Sequence, residues 1–148
     1  MSTITDIADA VVAELNGSAG PKFGSPPAGL NAQRSYRPAF DLKDMKDLHV
    51  TVVPKGVELS SASRSLVQTD VQIDIGVQKK LVTADAAEID PLMSLAEEIA
   101  DFFRTHRLTT VPSAMWVNTQ NSPIFAPEHL AELRQFTSVI TLTYRVVR

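Results

Sequence analysis

The stretch VQTDVQIDIGVQKK, residues 67–80, decides the fold. Val67, Thr69, Val71, Ile73, Ile75 and Val77 alternate with Gln68, Asp70, Gln72, Asp74, Gly76 and Gln78, and Lys79 and Lys80 continue the run. Successive side chains of a strand point to opposite faces, so this period-two pattern predicts one long β-strand with an apolar face and a wet face. The apolar face needs cover, which the flanking segments must supply.

On the N-terminal side, Leu48 to Val53 reads as a second strand ended by Pro54. Between the two strands lies KGVELSSAS, Lys55 to Ser63, whose small polar residues predict a mobile hairpin loop. Further upstream, Tyr36 to Leu42 suggests a short extended piece, followed by a polar turn at Asp44 to Asp47. From Ser18 to Pro38, glycine and proline recur too often for a regular element, which predicts a long surface segment. Before it, Ile4, Ile7, Ala8, Val11, Val12 and Leu15 keep helical spacing, with Ser2 or Thr3 as N-cap and Asn16-Gly17 as the stop.

On the C-terminal side, Asp90-Pro91 places a capping carboxylate ahead of a proline and predicts a second helix starting there. Leu92, Leu95, Ala96, Ile99, Phe102 and Phe103 form its apolar stripe, while Glu97, Glu98, Asp101 and Arg104 face water. Arg104, His106 and Arg107 complement the dipole at its end. A short strand at Ala114 to Val117, the loop TQNSPIFAP (Thr119 to Pro127), a helical turn at Glu128 to Leu133 and a final strand from Phe136 to Val147 complete the chain. The expected fold is a single α+β domain over residues 1–148. Two helices pack on a mixed, mostly antiparallel sheet of about four strands, in the order α-β-β-α-β-β. Leu95, Ile99, Phe102, Val71, Ile73, Ile75, Ile140 and Leu142 are the expected core.

Composition narrows function. The chain has 148 residues, 44% of them hydrophobic and 21% charged, which suits one globular domain. Its net charge of -3 gives no basic footprint for holding DNA or an anionic membrane. No apolar run approaches a membrane span, and the N-terminus lacks the basic and apolar blocks of a signal peptide, so a soluble intracellular product is expected. Without cysteine there are no disulfides, thiolate metal sites or cysteine nucleophiles.

No motif gathers a reaction centre. His49, His106 and His129 stand outside any metal or triad spacing and read as a strand residue, a helix-end cap and a surface-turn residue. Asp70 and Asp74 share a strand face, which is the best case for a divalent ion and a metal-dependent nuclease. Such a site draws carboxylates from several elements, so a solvated or subunit-facing surface is the favoured reading. The glycines of GSAGPKFGSPPAG lack the lysine-serine ending and preceding strand of a phosphate cradle. Trp116, Phe125 and Tyr144 read as core or subunit-contact residues rather than base-stacking platforms. No catalytic residue, metal ligand or cofactor is expected.

FDLKDMKDLHVTVVPK, TDVQIDIGVQKK, EEIADFF and ELRQFTSVITLTYRVVR resemble segments of small proteins encoded among phage and prophage neck and tail genes. The resemblance covers Tyr36 to Arg148, with further support from IADAVVAELN. The element order is similar to that of the tail terminators of long-tailed bacteriophages. It implies a virion structural protein that forms a hexameric ring at the head-proximal end of the tail tube, stops tube growth and presents the surface for head-tail joining. The implied partners are further copies of the chain, the tail tube protein and a head-tail connector or neck protein. Genomic DNA would pass through the lumen without tight binding, and the protein would work in the virion neck after assembly in the host cytoplasm. A neck, head-completion or DNA-associated factor is the alternative.

Within that reading, Arg37, Lys55, Arg64, Asp70, Asp74, Asn121 and Phe125 are the expected assembly-interface residues. Lys55 to Arg64 and Thr119 to Pro127 are expected to be docking loops that become ordered on assembly. Gln68, Asp70, Gln72, Asp74 and Gln78 should face either the lumen or a neighbour, where the partner subunit's Arg37 or Arg64 would pair with the carboxylates.

Overall fold

The alternating stretch forms the middle of the sheet. The computed structural model describes residues 3–24, 28–35, 48–83, 85–104, 106–121, 124–128, 131 and 134–147. Its elements are α1 (Thr3–Asn16), β1 (Lys22–Phe23), β2 (Ala28–Gly29), β3 (Gln33–Arg34), β4 (His49–Ser61), β5 (Val67–Lys80), α2 (Ala86–Phe103), β6 (Met115–Gln120) and β7 (Gln135–Val147). β5 has two antiparallel neighbours. It pairs with β4 from His49↔Gln78 to Ser61↔Val67, and with β7 from Gln68↔Val147 to Lys80↔Gln135. β6 pairs antiparallel with the far side of β7, while β3 adds two residues to β4 in parallel.

The class is α+β, as expected, with a mixed sheet in the order β3-β4-β5-β7-β6. Five strands stand where about four were expected, the fifth being β3 from the Gly/Pro-rich segment. That segment is therefore more than surface. β1 and β2 pair antiparallel within it, and Leu30 and Ala32 are buried. Asn16, read as a helix stop, also clamps it: its side-chain amide donates to the Ala32 carbonyl at 3.0 Å and its Oδ1 accepts from the Ala32 N–H at 2.7 Å. Just beyond α1, a Cβ on Gly20 would lie 2.3 Å from the Leu15 carbonyl oxygen, so only glycine fits that close approach. The expected extended piece at Tyr36 to Leu42 and the turn at Asp44 to Asp47 lie outside the described residues, as does His129.

The apolar face of β5 becomes the core. Val71, Ile73, Ile75 and Val77 are fully buried together with Ile140, Leu142 and Tyr144 of β7 and Val52 of β4. α1 lies over β4 and β5, and α2 lies over β7 and β6. Ile7, Val11 and Leu15 enter the core from α1; Leu92, Leu95, Ile99 and Phe103 enter from α2. Burying each large aliphatic side chain stabilises by about 1.5–3 kcal/mol relative to exposure, which makes this helix-on-sheet layer the main stabilising element.

Three local expectations are corrected. α2 starts at Ala86 rather than at Pro91, because Asp85 is the N-cap and its carboxylate accepts from the Glu88 N–H at 3.1 Å. Glu88 reaches back to the N–H groups of Val82 and Thr83 at 2.8 and 2.9 Å, so the turn before the helix is tied down reciprocally. Pro91 then sits inside the helix, where it has no N–H to give the Ala87 carbonyl four residues back. Pro54 does not end the first long strand: β4 continues through a register shift between Pro54 and Gly56. Pro supplies no ladder N–H, and a bulge at the sheet edge absorbs that loss. Phe102 is only partly buried and packs against the core from outside, whereas Phe103 is fully enclosed.

Replacing Phe103 by alanine should cost about 3–5 kcal/mol in urea unfolding, the range for truncating an enclosed aromatic side chain. Replacing Phe102 should cost clearly less; equal losses would contradict this core.

Candidate assembly interface

The end of the β4–β5 hairpin forms an arm at the edge of the sheet: β5 stays paired with β7 as far as Gln68↔Val147, so β4 is the open edge strand and only the turn from Ala62 to Leu66 projects past the ladder. Residues that the composition marked as a loop are paired strand: Gly56↔Gln72, Val57↔Val71, Glu58↔Asp70, Leu59↔Thr69, Ser60↔Gln68 and Ser61↔Val67. The tip is closed by hydrogen bonds from the Ala62 and Ser63 N–H groups to the Leu66 carbonyl at 3.0 and 3.2 Å, and from the Leu66 N–H to Ser63 Oγ at 3.2 Å. The expected loop at Lys55 to Arg64 is thus a structured arm, and ordering on assembly is not needed to form its backbone pairs. The overlooked signal was the alternation Val57-Glu58-Leu59, which continues the strand pattern.

Register gives the arm its surface. Val57 and Leu59 oppose Val71 and Thr69 on the face that the helices cover further along the sheet. Val71 and Thr69 are themselves buried, so the exposure falls on the edge strand and the tip, with Val57 49%, Leu59 67%, Leu66 44% and Val67 45% exposed. These side chains therefore lie outside the core and make an exposed apolar patch. Lys55 stands exposed at the bulge and Arg64 at the tip. Of the expected interface residues, these two remain on an open surface.

Both carboxylates on the wet face of β5 have partners within the chain. Arg145 of β7 sits opposite Asp70 and donates Nε to Oδ1 at 2.8 Å and Nη2 to Oδ2 at 3.2 Å. Asp74 accepts from the Thr141 hydroxyl at 2.7 Å. The expected pairing with the partner subunit's Arg37 or Arg64 is therefore replaced at Asp70 by an internal arginine, and Arg37 lies outside the described residues. The same contacts oppose the divalent-ion reading: a cation would have to displace Arg145, and among the described residues no three His, Asp or Glu side chains gather as metal donors. The wet face is also shorter than expected. Gln78 is buried, as are Thr51, Gln135 and Thr137.

Asn121 and Phe125 also turn inward. Asn121 donates its amide to Ser138 Oγ at 3.0 Å and to the Val139 carbonyl at 2.8 Å, holding its segment to β7. The Phe125 ring lies 6.2 Å from that of Phe136, and the Ala126 N–H bonds to the Thr137 carbonyl at 2.9 Å. Within the expected Thr119 to Pro127 loop, Thr119 and Gln120 belong to β6, and Ile124 is 52% exposed.

His106 proves to be a crosslink between the two helices' ends. Its Nε2 lies 3.1 Å from Glu14 Oε2, and its ring is tilted against Phe102 with centroids 4.6 Å apart. Glu14 Oε1 accepts from the Thr109 N–H at 2.9 Å and the Thr109 hydroxyl at 2.8 Å. The Tyr144 hydroxyl reaches the His106 carbonyl at 3.2 Å, and burial pushes the tyrosine pKa far up. Partial burial raises the Glu14 pKa, but the donors from Thr109 and His106 outweigh it and hold the carboxyl below its ordinary value. Asp70 is also held below its ordinary value, chiefly by its hydrogen bonds from Arg145.

No protein-family model and no curated protein matches the chain. Among the described residues, no helix is long and apolar enough to cross a membrane.

The two depressed carboxylates fix the sign of an acid effect. Their contribution is complete above the ordinary values of 3.8 for Asp70 and 4.5 for Glu14 and is lost as pH falls through the lower folded-state values. Urea midpoints measured from pH 7 down to pH 3 should therefore fall less steeply in Asp70→Asn and Glu14→Gln than in the parent. An unchanged acid limb in both variants would refute the assignment.

Proposed function

We propose that this protein is a structural subunit of a long-tailed phage or prophage, acting as a tail terminator. Copies join into a ring at the head-proximal end of the tail tube, stop its growth and offer the surface that the head connector meets. The observation that carries this reading is the open edge of β4 with its hairpin tip, whose exposed apolar side chains suit a repeated protein contact. The sequence resemblance supplies the particular setting. The internally matched Asp70 and Asp74 favour a structural role over hydrolysis. With one arm per copy, a closed ring repeats the same modest contact around its circumference, so many weak interfaces act together.

Purified protein should form closed rings with a central lumen in electron micrographs and sediment as an oligomer. Val57→Ser combined with Leu59→Ser should leave the circular dichroism spectrum intact while shifting the protein toward monomer. In the encoding phage, loss of the gene should yield tails of uncontrolled length that fail to join heads. Normal tail length and head joining without the gene would overturn the terminator role, and salt-sensitive DNA binding by a protein that never forms rings would favour the neck-factor alternative.

A further inference from the structure

We propose that the arm of one copy docks its tip into the groove beside α2 of the next copy, an inference that rests on the ring reading above. The groove is lined by Met93, Glu97, Ala100, Asn121 and Ile124 and encloses about 460 Å³. Clefts of roughly 300–1,000 Å³ hold small-molecule ligands, so this one accommodates one or two side chains. Met93 and Ala100 pack on the core from outside, and Ile124 is more than half exposed. The wall is acidic. Glu97 lies in it, and Glu98 and Asp101 are exposed nearby on the same helix.

The arm tip has the complementary character: Arg64 is exposed beside Leu66, with Leu59 and Val67 on the adjoining strands. An arginine flanked by apolar side chains fits an apolar cleft with a carboxylate on its wall. The other described grooves fit less well. One contains Lys80 and Arg134 and another Arg107, cations that oppose Arg64; the groove beside α1 is lined by Asp6 and Asp9, but Arg34 already pairs with Asp9 there at 3.1 Å and sets a like charge against Arg64.

Register shows why the groove belongs to another copy. Asn121 is bonded to the Val139 carbonyl, and Val139 stands opposite Gly76, whereas the arm tip lies beyond Val67 at the other end of β5. Nine residues of strand separate these levels, about 30 Å at the usual rise. An arm therefore cannot fill its own groove. Each copy gives an arm and receives one, a head-to-tail contact that closes into a ring when the rotation per copy allows.

The test is a charge swap on the full chain, measured by sedimentation over a range of concentrations: parent, Arg64→Glu, Glu97→Arg and the double variant. Each single variant should raise the concentration for half-assembly about tenfold or more, since it sets like charges against each other at the contact. The double variant should return to within about threefold of the parent, the coupling expected of residues that meet. Both sites lie on the surface, and circular dichroism verifies folding. Single variants that assemble like the parent, or a double variant no better than the worse single, overturn this contact while leaving the ring reading intact. A parent that stays monomeric at every concentration removes both.

Discussion

The antiparallel ladder between β5 and β7 is the constraint from which the rest follows. It runs through thirteen consecutive pairs, from Gln68↔Val147 to Lys80↔Gln135, without a bulge. Because side chains alternate, that single register assigns faces to both strands at once, and a slip of one residue would turn every buried Ile and Val toward water. It seats Ile140 beside Ile75 and Leu142 beside Ile73 under the helices, and on the opposite face it brings Arg145 to Asp70 and Thr141 to Asp74. Core formation and polar matching thus depend on the same alignment. The helices sit where this ladder and its two outer neighbours present apolar surface, with the Glu14–His106 contact drawing their C-terminal ends together.

The arm inherits its order from that ladder. An isolated two-stranded hairpin is marginal in water, but here β5 is flanked by β7 along almost the whole of the arm. The Asp70–Arg145 pair ties the β5 side of the arm to β7, and the hydrogen-bonded turn from Ala62 to Leu66 closes the tip. In the proposed ring, a prearranged arm would lose less conformational entropy on docking than a loose loop, so more of the apolar contact would be retained as affinity. Its exposed valines and leucines are spread along the edge strand and the turn and are interrupted by Glu58, the serines and Arg64.

The long elements were legible because each carries a strong period. β5 alternates over its full length, α1 and α2 keep helical stripes, and β7 is rich in β-branched residues. Boundaries were misread where two signals competed. Asp90-Pro91 outweighed Asp85 and Glu88, although the latter pair holds the three-residue spacing of a reciprocal cap. Pro54 and the serines hid the arm because local composition was weighed above the alternation running through Val57 and Leu59. The polar contacts were less accessible still. Glu14 and His106 lie 92 positions apart, and Asp70 and Arg145 lie 75 apart, so only the sheet register and helix placement bring them together. That is why Asp70, Asp74, Asn121 and Phe125 stood out as candidates for partners while their actual partners are within the chain.

The bulge at Lys55 separates the direction of the arm from its chemistry. Before it, Val50 and Val52 face the helices; after it, Val57 and Leu59 take that face, because one extra residue is absorbed between Pro54 and Gly56. Removing Lys55 would leave the cross-strand partners on both sides unchanged and merely straighten the strand, whereas a one-residue deletion within Val57 to Ser61 would exchange the arm's two surfaces. A single residue at Lys55 thus sets the direction of the β4 edge without changing which side chains that edge carries.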